Sequence, residues 1–124
     1  MSSVIAAGGD TGGIFTAIDA KDGATFVSFL TEDAVFRFGS APPVQGRDAI
    51  QAAVEGFFTT IEGCAHNITR ILGEDDTLVC EGVVTYTRHD GSEIALPFTD
   101  VFEYEGSLVA HYKIYIDIGP LFAD

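Results

Sequence analysis

Residues 96–104 read LPFTDVFEY, a segment in which large apolar side chains recur at every second position around one carboxylate, Asp100. In a β-strand every second side chain lies on the same face, so Asp100 shares a face with the large residues Leu96, Phe98, Phe102 and Tyr104. An ionised carboxylate is costly to bury unless it is paired or protonated. The segment therefore predicts a strand whose inner face carries one carboxylate, either as a structural polar contact or as a group tuned for chemistry.

The rest of the chain supplies helices first and strands afterwards. Helical spacing predicts short helices from residue 10 or 11 to 21 and from 23 to 30, and a longer helix from 47 to 61. An early strand is predicted at 34–39, and four longer ones at 64–72, 77–89, 92–104 and 108–118. This order predicts a flexible arm at residues 1–10 and a single α+β domain at 11–124. In that domain a curved, mostly antiparallel sheet wraps the three helices of the N-terminal half on one face.

The composition limits the partners that we expect. The 124 residues suffice for one domain with its own core, and 19 acidic against 6 basic residues give a formal charge of −13. That charge repels nucleic-acid phosphates and anionic lipids. We recognise no secretory leader and no apolar run long enough to span a membrane. We therefore expect a cytoplasmic protein whose partner is a small organic molecule, with no nucleic acid and no membrane.

The cysteines and histidines give no indication of a metal centre. Cys64 and Cys80 fall on neighbouring predicted strands, several residues out of register, which favours reduced thiols over a disulfide. His66, His89 and His111 show no spacing typical of metal ligands. The sequence therefore predicts a protein that uses no metal and no cofactor.

The turn Asp90-Gly91 allows residues to be paired across the neighbouring strands. A two-residue loop at this turn places Glu81 opposite Asp100. Two close carboxylates cannot both ionise easily, so one should hold its proton into the neutral pH range. Both tight closures of the preceding turn place His66 and Arg70 on the face of Glu81. These side chains could form one polar row on the cavity wall or a salt-bridged patch at the rim of the sheet.

The last strand can face the core in two ways. A two-residue loop before it would bring His111 opposite Asp100, whereas the apolar residues from 108 to 118 occupy the even positions together with Tyr112. Burying each apolar side chain contributes about 1 to 3 kcal/mol, which outweighs one attractive polar pair. We therefore expect a three-residue turn, Tyr112 inside and His111 on the convex face. Two other residues of that convex face could contribute to a dimer interface: Val109 and Tyr115.

Several motifs along the chain carry a family resemblance. LTEDAVFRF at 30–38, QGRDAI at 45–50, LPFTDVFEYEG at 96–106 and YKIYIDIGPLF at 112–122 follow one another in a fairly specific order and spacing. In this they resemble the nuclear transport factor 2-like superfamily, within it the branch of SnoaL-like polyketide cyclases and ketosteroid isomerase-like proteins. The resemblance covers about residues 11–122. It implies a conical α+β barrel with a deep apolar cavity, and a homodimer formed through the convex face of the sheet.

The resemblance also implies a role for Asp100. This residue matches the acid that ketosteroid isomerase keeps protonated in its oxyanion hole, whereas Phe15 and Phe38 replace the partner tyrosine and the general base of that enzyme. SnoaL-like cyclases rely chiefly on one acid/base aspartate in an apolar cavity, and Asp100 matches that residue. The triad of limonene epoxide hydrolase is not carried over, because its positions fall near Ile114, Glu81 and Val83.

These observations predict a SnoaL-like protein that binds a small apolar molecule. We expect an isomerase, dehydratase (a lyase) or cyclase that performs cofactor-independent acid/base chemistry on a carbonyl or polyol compound. The alternative is a non-catalytic ligand-binding or dimerisation module. Asp100 would be the catalytic acid/base and His66 or Tyr112 its partner. The residues expected to form the ligand pocket are Phe15, Phe36, Phe38, Arg70, Glu81, Val83, Phe98, Phe102 and Ile114.

Overall fold

A computed structural model describes residues 11–123 of the chain. Its helices are α1 (Thr11–Asp19), α2 (Gly23–Val27), α3 (Arg47–Phe58) and α4 (Gly119–Phe122). Its strands are β1 (Leu30–Phe38), β2 (Val44–Gln45), β3 (Gly63–Glu74), β4 (Thr77–Thr87), β5 (Glu93–Glu105) and β6 (Leu108–Tyr115). The arm expected at residues 1–10 lies outside the described residues. No helix within residues 11–123 is long and apolar enough to cross a membrane.

The six strands form one curved sheet in the order β2-β1-β6-β5-β4-β3. Strands β1 and β6 run parallel, and every other neighbouring pair is antiparallel. The sheet does not close, because β2 and β3 remain at its edges. The predicted α+β architecture, with a curved and mostly antiparallel sheet, is confirmed.

The helices begin where the sequence predicts and end earlier. The carboxylate of Asp22 caps α2 by accepting hydrogen bonds from the backbone nitrogen of Thr25 at 3.1 Å and from its hydroxyl at 2.7 Å. Helix α2 ends at Val27, not near residue 30, because fully buried Leu30 already pairs with Val109 in the sheet. This strand pairing overrides the local helical spacing.

The inner face of β5 carries the row of residues that the alternation predicts. Each of the five residues is at most 7% exposed, whereas the residues between them are less buried. The five are Leu96, Phe98, Asp100, Phe102 and Tyr104.

The pairing register between β4 and β5 differs from the predicted register by one residue. Thr87 pairs with Glu93, so the loop contains the five residues 88–92 rather than two. The Asp90 carboxylate holds Ser92 within this loop, by accepting hydrogen bonds from its nitrogen at 2.9 Å and its hydroxyl at 2.6 Å. An odd loop length reverses which side chains face inward. The predicted pairing of Glu81 with Asp100 is therefore wrong, and Cys80 lies opposite Asp100.

A bulge in β3 separates its inner and outer polar residues. Pairing shifts between Ile68 and Arg70, so His66 faces the core whereas Arg70 points outward, opposite Glu81. Arg70 pairs with Glu81 across the two strands, and their ion pair of 4.0 Å joins side chains that are 62% and 48% exposed. The proposed polar row that continued from this pair to Asp100 is wrong.

The turn between β5 and β6 is shorter than predicted, yet the inner face of β6 is the predicted one. Glu105 pairs with Leu108, which leaves a two-residue loop instead of the expected three-residue turn. A register shift at Ala110 then restores the parity of the strand. Tyr112 is consequently buried at 1% exposure and His111 is exposed, as predicted.

The outer face of the sheet is less open at β6 than expected. Val109 is fully buried, because it lies before the register shift at Ala110 and pairs with Tyr104 of the inner row, so its predicted contribution to a dimer interface is wrong. Tyr115 is 58% exposed. Cys64 and Cys80 are both free thiols, as predicted.

Candidate functional site

A cavity of about 210 Å³ lies between the helices and the inner face of the sheet. It is smaller than the range of about 300 to 1,000 Å³ typical of ligand pockets, which favours a small guest. Apolar side chains from α1, α2, α3 and five strands make up most of its wall. The polar side chains that line it are Cys64, His66, Tyr86, Asp100 and Tyr112.

Asp100 is buried in this wall at 1% exposure. Its Oδ2 accepts a hydrogen bond of 2.9 Å from the hydroxyl of Tyr112, and its Oδ1 has no hydrogen-bond partner among residues 11–123. Burial raises the pKa of Asp100 to about 8, although the hydrogen bond from Tyr112 acts in the opposite direction. The carboxyl group is therefore mainly neutral at pH 7. Because Oδ2 is an acceptor, the acidic hydrogen is available on Oδ1.

Tyr112 is held in place by a group of aromatic rings. Its ring centroid lies 4.4 Å from that of Phe102, 5.5 Å from that of Phe36 and 5.9 Å from that of Phe26. Burial and the neighbouring Asp100 raise the pKa of Tyr112 well above its usual value. Its hydroxyl therefore remains a hydrogen-bond donor whose position is fixed by packing.

A second polar pair joins His66 to the end of α1. The Nδ1–H group of His66 donates to Oδ1 of Asp19 at 2.6 Å, and the backbone nitrogen of His66 donates to Oδ2 at 3.0 Å. A carboxylate oxygen can only accept, so Nδ1 carries the hydrogen, and in the neutral form of the ring Nε2 carries the lone pair. Phe15 and Phe98 contact the imidazole with centroid distances of 5.1 and 5.2 Å. The ring is consequently fixed in both tautomer and orientation.

Two further polar groups of the wall are also neutral at pH 7. Burial and the nearby Asp19 raise the pKa of Cys64, the first of these groups, to about 12. Burial and Asp100 likewise raise the pKa of Cys80 to about 12, but this thiol does not line the cavity. Burial also raises the pKa of Tyr86. The cavity thus presents neutral donors at the Asp100 end and the imidazole of His66 elsewhere in its wall.

The predicted site residues divide into three groups. Those that line the cavity are His66, Asp100, Tyr112, Phe36, Phe38, Phe98 and Ile114. Phe15 and Phe102 lie behind the wall, in contact with His66 and Tyr112 respectively. The others do not line it, because the five-residue loop and the β3 bulge turn them to the other face of the sheet: Arg70, Glu81 and Val83.

Sequence reasoning did not name Asp19, Cys64 or Tyr86 as site residues. Asp19 follows Phe15 by four residues, so both lie on one face of a helix, and this spacing was a usable signal. Four of the six apolar residues of β4, including Tyr86, occupy even positions, whereas the odd positions include Glu81. This balance indicated the inner face more reliably than the assumed turn. The contact between Asp19 and His66 joins residues 47 positions apart and has no local signal.

Comparisons with known proteins agree with this architecture. The model of the SnoaL-like domain family matches residues 13–112. An NTF2-like protein of unknown function from Burkholderia pseudomallei K96243 has a TM-score of 0.81 at 15% identity, over 90% of both chains. TerC, co-crystallised with polyporic acid, has a TM-score of 0.79 at 14% identity, over 90% of this chain and 91% of its own.

A third solved structure, a protein described as a SnoaL-like polyketide cyclase from Jannaschia sp. CCS1, has a TM-score of 0.76 at 14% identity. It covers 87% of this chain and 83% of its own. At these identities the solved structures show a shared fold, and the family model covers most of the sequence. The chain belongs to the SnoaL-like domain family and has the nuclear transport factor 2-like fold.

Proposed function

We propose that this protein is a cofactor-independent enzyme that moves a proton at the carbon next to the carbonyl group of a small, mostly apolar molecule. The observation that carries the proposal is the Oδ1 atom of Asp100, which is buried and without a hydrogen-bond partner among residues 11–123. A neutral carboxylic acid at the wall of an apolar cavity carries an O–H donor, and few water molecules are there to accept its hydrogen bond. A bound carbonyl oxygen supplies the missing acceptor.

Asp100 supplies the stabilisation of negative charge. When a proton leaves the neighbouring carbon, the electron pair of the C–H bond shifts and charge develops on the carbonyl oxygen. The acidic hydrogen on Oδ1 donates to that oxygen, while the hydroxyl of Tyr112 holds Oδ2 at 2.9 Å. Such a preorganised donor is strongest where water is excluded, as at this buried position.

His66 supplies the base. Its Nε2 lone pair accepts the proton from the substrate carbon, and the carboxylate of Asp19 at 2.6 Å from Nδ1 stabilises the resulting imidazolium. The imidazolium then returns the proton to another carbon in an isomerisation, or to a departing hydroxide in a dehydration. The two polar pairs therefore provide both halves of an enolisation without any cofactor.

The wall of the cavity favours a substrate of limited size. Phe36, Phe38, Phe57 and Phe98 present aromatic surface to a space of about 210 Å³. One small ring or a short branched chain fits this description better than an extended polycyclic compound. The net charge of −13 makes a neutral or cationic molecule the more compatible guest.

Deuterium exchange into a small ketone tests the proposal directly. The wild-type protein should accelerate exchange of the α-hydrogens of cyclohexanone in D₂O, followed by proton NMR. Asp100→Leu removes the donor and should reduce this rate by about 100-fold or more. Asp100→Asn retains an N–H donor and should give an intermediate rate.

Glu103→Gln is the matched control, because Glu103 belongs to the same strand but lies on its outer face, 3.3 Å from the Lys113 ammonium. It should exchange at the wild-type rate. An unchanged rate in Asp100→Leu, with the fold retained by circular dichroism, would contradict the proposed role of Asp100.

A non-catalytic ligand-binding protein is the second candidate. The small volume of the cavity and the phenylalanine at position 38 of its wall favour it, because both leave less room for reacting groups. The Asp100 donor would then bind a carbonyl compound, and the protein would release that compound without chemical change. Native mass spectrometry of the purified protein distinguishes the two, since a retained and unaltered molecule supports the binder.

We further propose a homodimer formed through the convex face of the sheet, in a reducing cytoplasmic compartment. Tyr115 and Leu72 are 58% and 49% exposed there, and large exposed apolar side chains commonly mark an interface. The two free thiols support the compartment. Sedimentation velocity of wild type and Tyr115→Glu tests the dimer, which the added charge should weaken.

A further inference from the structure

A cluster of three potential metal ligands lies where the end of α1 meets β3. Asp19, Cys64 and His66 each offer one ligand atom, and these atoms all lie within 4.8 Å of one another. We propose that these three residues form a zinc-binding site whose fourth coordination position opens into the cavity. The binding proposal stands apart from the enolisation chemistry and does not depend on it.

The backbone brings the three ligands together without strain on any one element. Cys64 and His66 are separated by one residue of β3, so both side chains lie on the inner face. Asp19 is the last residue of α1, and its carboxylate reaches the same point from the helix side. Each ligand thus projects from a regular element, which favours a well-defined site.

The hydrogen bonds at this point already resemble the arrangement of a metal site. The imidazole N–H of His66 donates to Oδ1 of Asp19 at 2.6 Å, and the sulfur of Cys64 lies 3.7 Å from the same oxygen and 3.5 Å from the carbonyl oxygen of Ile18. A cation at the centre of the three ligand atoms replaces the imidazole and thiol hydrogens. The other carboxylate oxygen stays bound to the backbone nitrogen of His66 at 3.0 Å, and such a second bond orients a ligating carboxylate.

Binding requires a small adjustment of the ring. Ligand atoms about 2.0 to 2.3 Å from a tetrahedral ion lie about 3.3 Å or more from one another. The present separation of Nδ1 and Oδ1 is 2.6 Å, so His66 must move away from Asp19 by under about 1 Å. This movement is a rotation about its side-chain torsions, and it shifts the ring against Phe15 and Phe98.

The donor set selects the ion. One sulfur, one nitrogen and one oxygen suit Zn²⁺, whereas Mg²⁺ and Ca²⁺ prefer oxygen ligands alone. Three protein ligands with one open position are also the composition of catalytic zinc sites. The thiol gives up its proton on binding, because the thiolate is the form that ligates metal. The charge of Lys21 acts on Cys64 by lowering the pKa of the thiol, and the Lys21 ammonium donates to the carbonyl of Ile61 at 3.1 Å.

Zinc at this position has a consequence for the proposed enzyme. With Nδ1 ligated, the hydrogen of the neutral imidazole resides on Nε2, which then has no lone pair to accept a proton. Zinc should therefore inhibit ketone exchange by the wild-type protein. This consequence rests on the proposed function, whereas zinc binding itself can be measured without any substrate.

Metal titration of chelator-treated protein tests the site. Cobalt(II) is the spectroscopic probe, and we expect one equivalent to produce a thiolate-to-cobalt charge-transfer band together with visible bands typical of tetrahedral coordination. Isothermal titration with Zn²⁺ should give a one-to-one complex. Cys64→Ala should abolish the charge-transfer band and weaken zinc binding by about 100-fold or more.

Two matched variants separate this cluster from other thiols and imidazoles. Cys80→Ala removes a thiol that is buried opposite Asp100, and His89→Ala removes an exposed imidazole bonded to Glu62. Both should bind zinc like wild type. Equal zinc affinity in wild type and folded Cys64→Ala, or loss of binding in His89→Ala, would overturn the proposal. Binding without inhibition of exchange would leave the site standing and remove His66 from the proposed chemistry.

Discussion

Acidic residues on the inner and outer faces of the sheet differ in burial and in the groups that contact them. On the inner face Asp100 has one hydrogen-bond donor, no cation among residues 11–123 at ion-pair distance and 1% exposure. On the outer face Glu81 and Glu103 lie 4.0 and 3.3 Å from cationic side chains, and both are more than 40% exposed. A carboxylate in water keeps its charge at little cost, whereas burial favours the neutral acid. The position within the sheet, not the residue type, thus makes Asp100 suitable for chemistry.

The difference in burial between the two faces also indicates where substitutions change the free energy of unfolding most. Exposed ion pairs contribute about 0 to 1 kcal/mol, because water screens them and the side chains must be ordered. A buried polar group that loses its partner costs about 1 to 3 kcal/mol. Substitutions on the inner face should therefore be felt more strongly than matched substitutions on the outer face.

The largest expected effect is on the pH dependence of stability. The pKa of Asp100 is about 8 in the folded chain, against 3.8 for an ordinary aspartate. Between these values the folded state keeps a proton that the unfolded state has released. The contribution of Asp100 to the free energy of unfolding is therefore complete below about pH 4 and is lost as the pH rises towards about 8. This one group contributes a slope of at most about 1.4 kcal/mol per pH unit.

Chemical denaturation across this pH window measures the effect. Asp100→Asn has no titrating group and should lose this part of the slope, whereas Glu81→Gln, at an exposed position, should keep the wild-type slope. An Asp100→Asn variant that follows the wild-type curve would show that the buried carboxyl does not hold its proton.

The second effect concerns the close approach of β3 and β4 on the inner face. A Cβ atom at Gly82 would lie 2.1 Å from the carbonyl oxygen of Asn67, so the backbone of one strand must move. Gly82→Ala should lower the free energy of unfolding by about 3 kcal/mol. Gly63→Ala is the control, because nothing lies within 4 Å of a Cβ there, and thermal melting should show little change. Equal melting temperatures for the two variants would contradict the observed register.

The third effect isolates the hydrogen bond to Asp100. Tyr112→Phe leaves Oδ2 without the hydroxyl that lies at 2.9 Å, and should cost about 1 to 3 kcal/mol of stability. It should also raise the pKa of Asp100 further, because that hydrogen bond favours the ionised form. Tyr115→Phe removes an exposed hydroxyl from the same strand and should be neutral in denaturant titrations. A neutral Tyr112→Phe would indicate that this hydroxyl is readily replaced by water.

The smallest effect is expected on the outer face. Lys113→Ala breaks the pair with Glu103 at 3.3 Å, and both side chains are about 40% exposed. The change in the free energy of unfolding should stay below about 1 kcal/mol and should shrink as salt is added. A loss of unfolding free energy as large as that of Tyr112→Phe would contradict the proposed difference between the two faces.

The inner row of β5 could be predicted from sequence because alternation is a local property. Five buried positions follow one period of two, and the apolar even positions of β6 likewise identified Tyr112 as an inner residue. The family resemblance supplied the cavity and the importance of Asp100. These parts of the site depend on short segments and on motif order alone.

The register between strands could not be predicted in the same way. The loop at residues 88–92 is held by the carboxylate of Asp90, and the bulge in β3 lies where Gly82 admits the backbone of Asn67. Each shifts the pairing between strands by one residue, which the alternation of a single strand does not reveal, and each reverses a face. Arg70 and Glu81 were assigned to the cavity for this reason, and Asp19 was overlooked because it meets His66 only in the folded chain.

The most direct test of the account is a carbon-13 NMR titration of the Asp100 carboxyl carbon, assigned by comparison with Asp100→Asn. The account predicts a midpoint near pH 8, with the group mainly protonated at neutral pH. A midpoint near the ordinary aspartate value of 3.8 would contradict it, because the cavity would then hold a carboxylate with no hydrogen to donate.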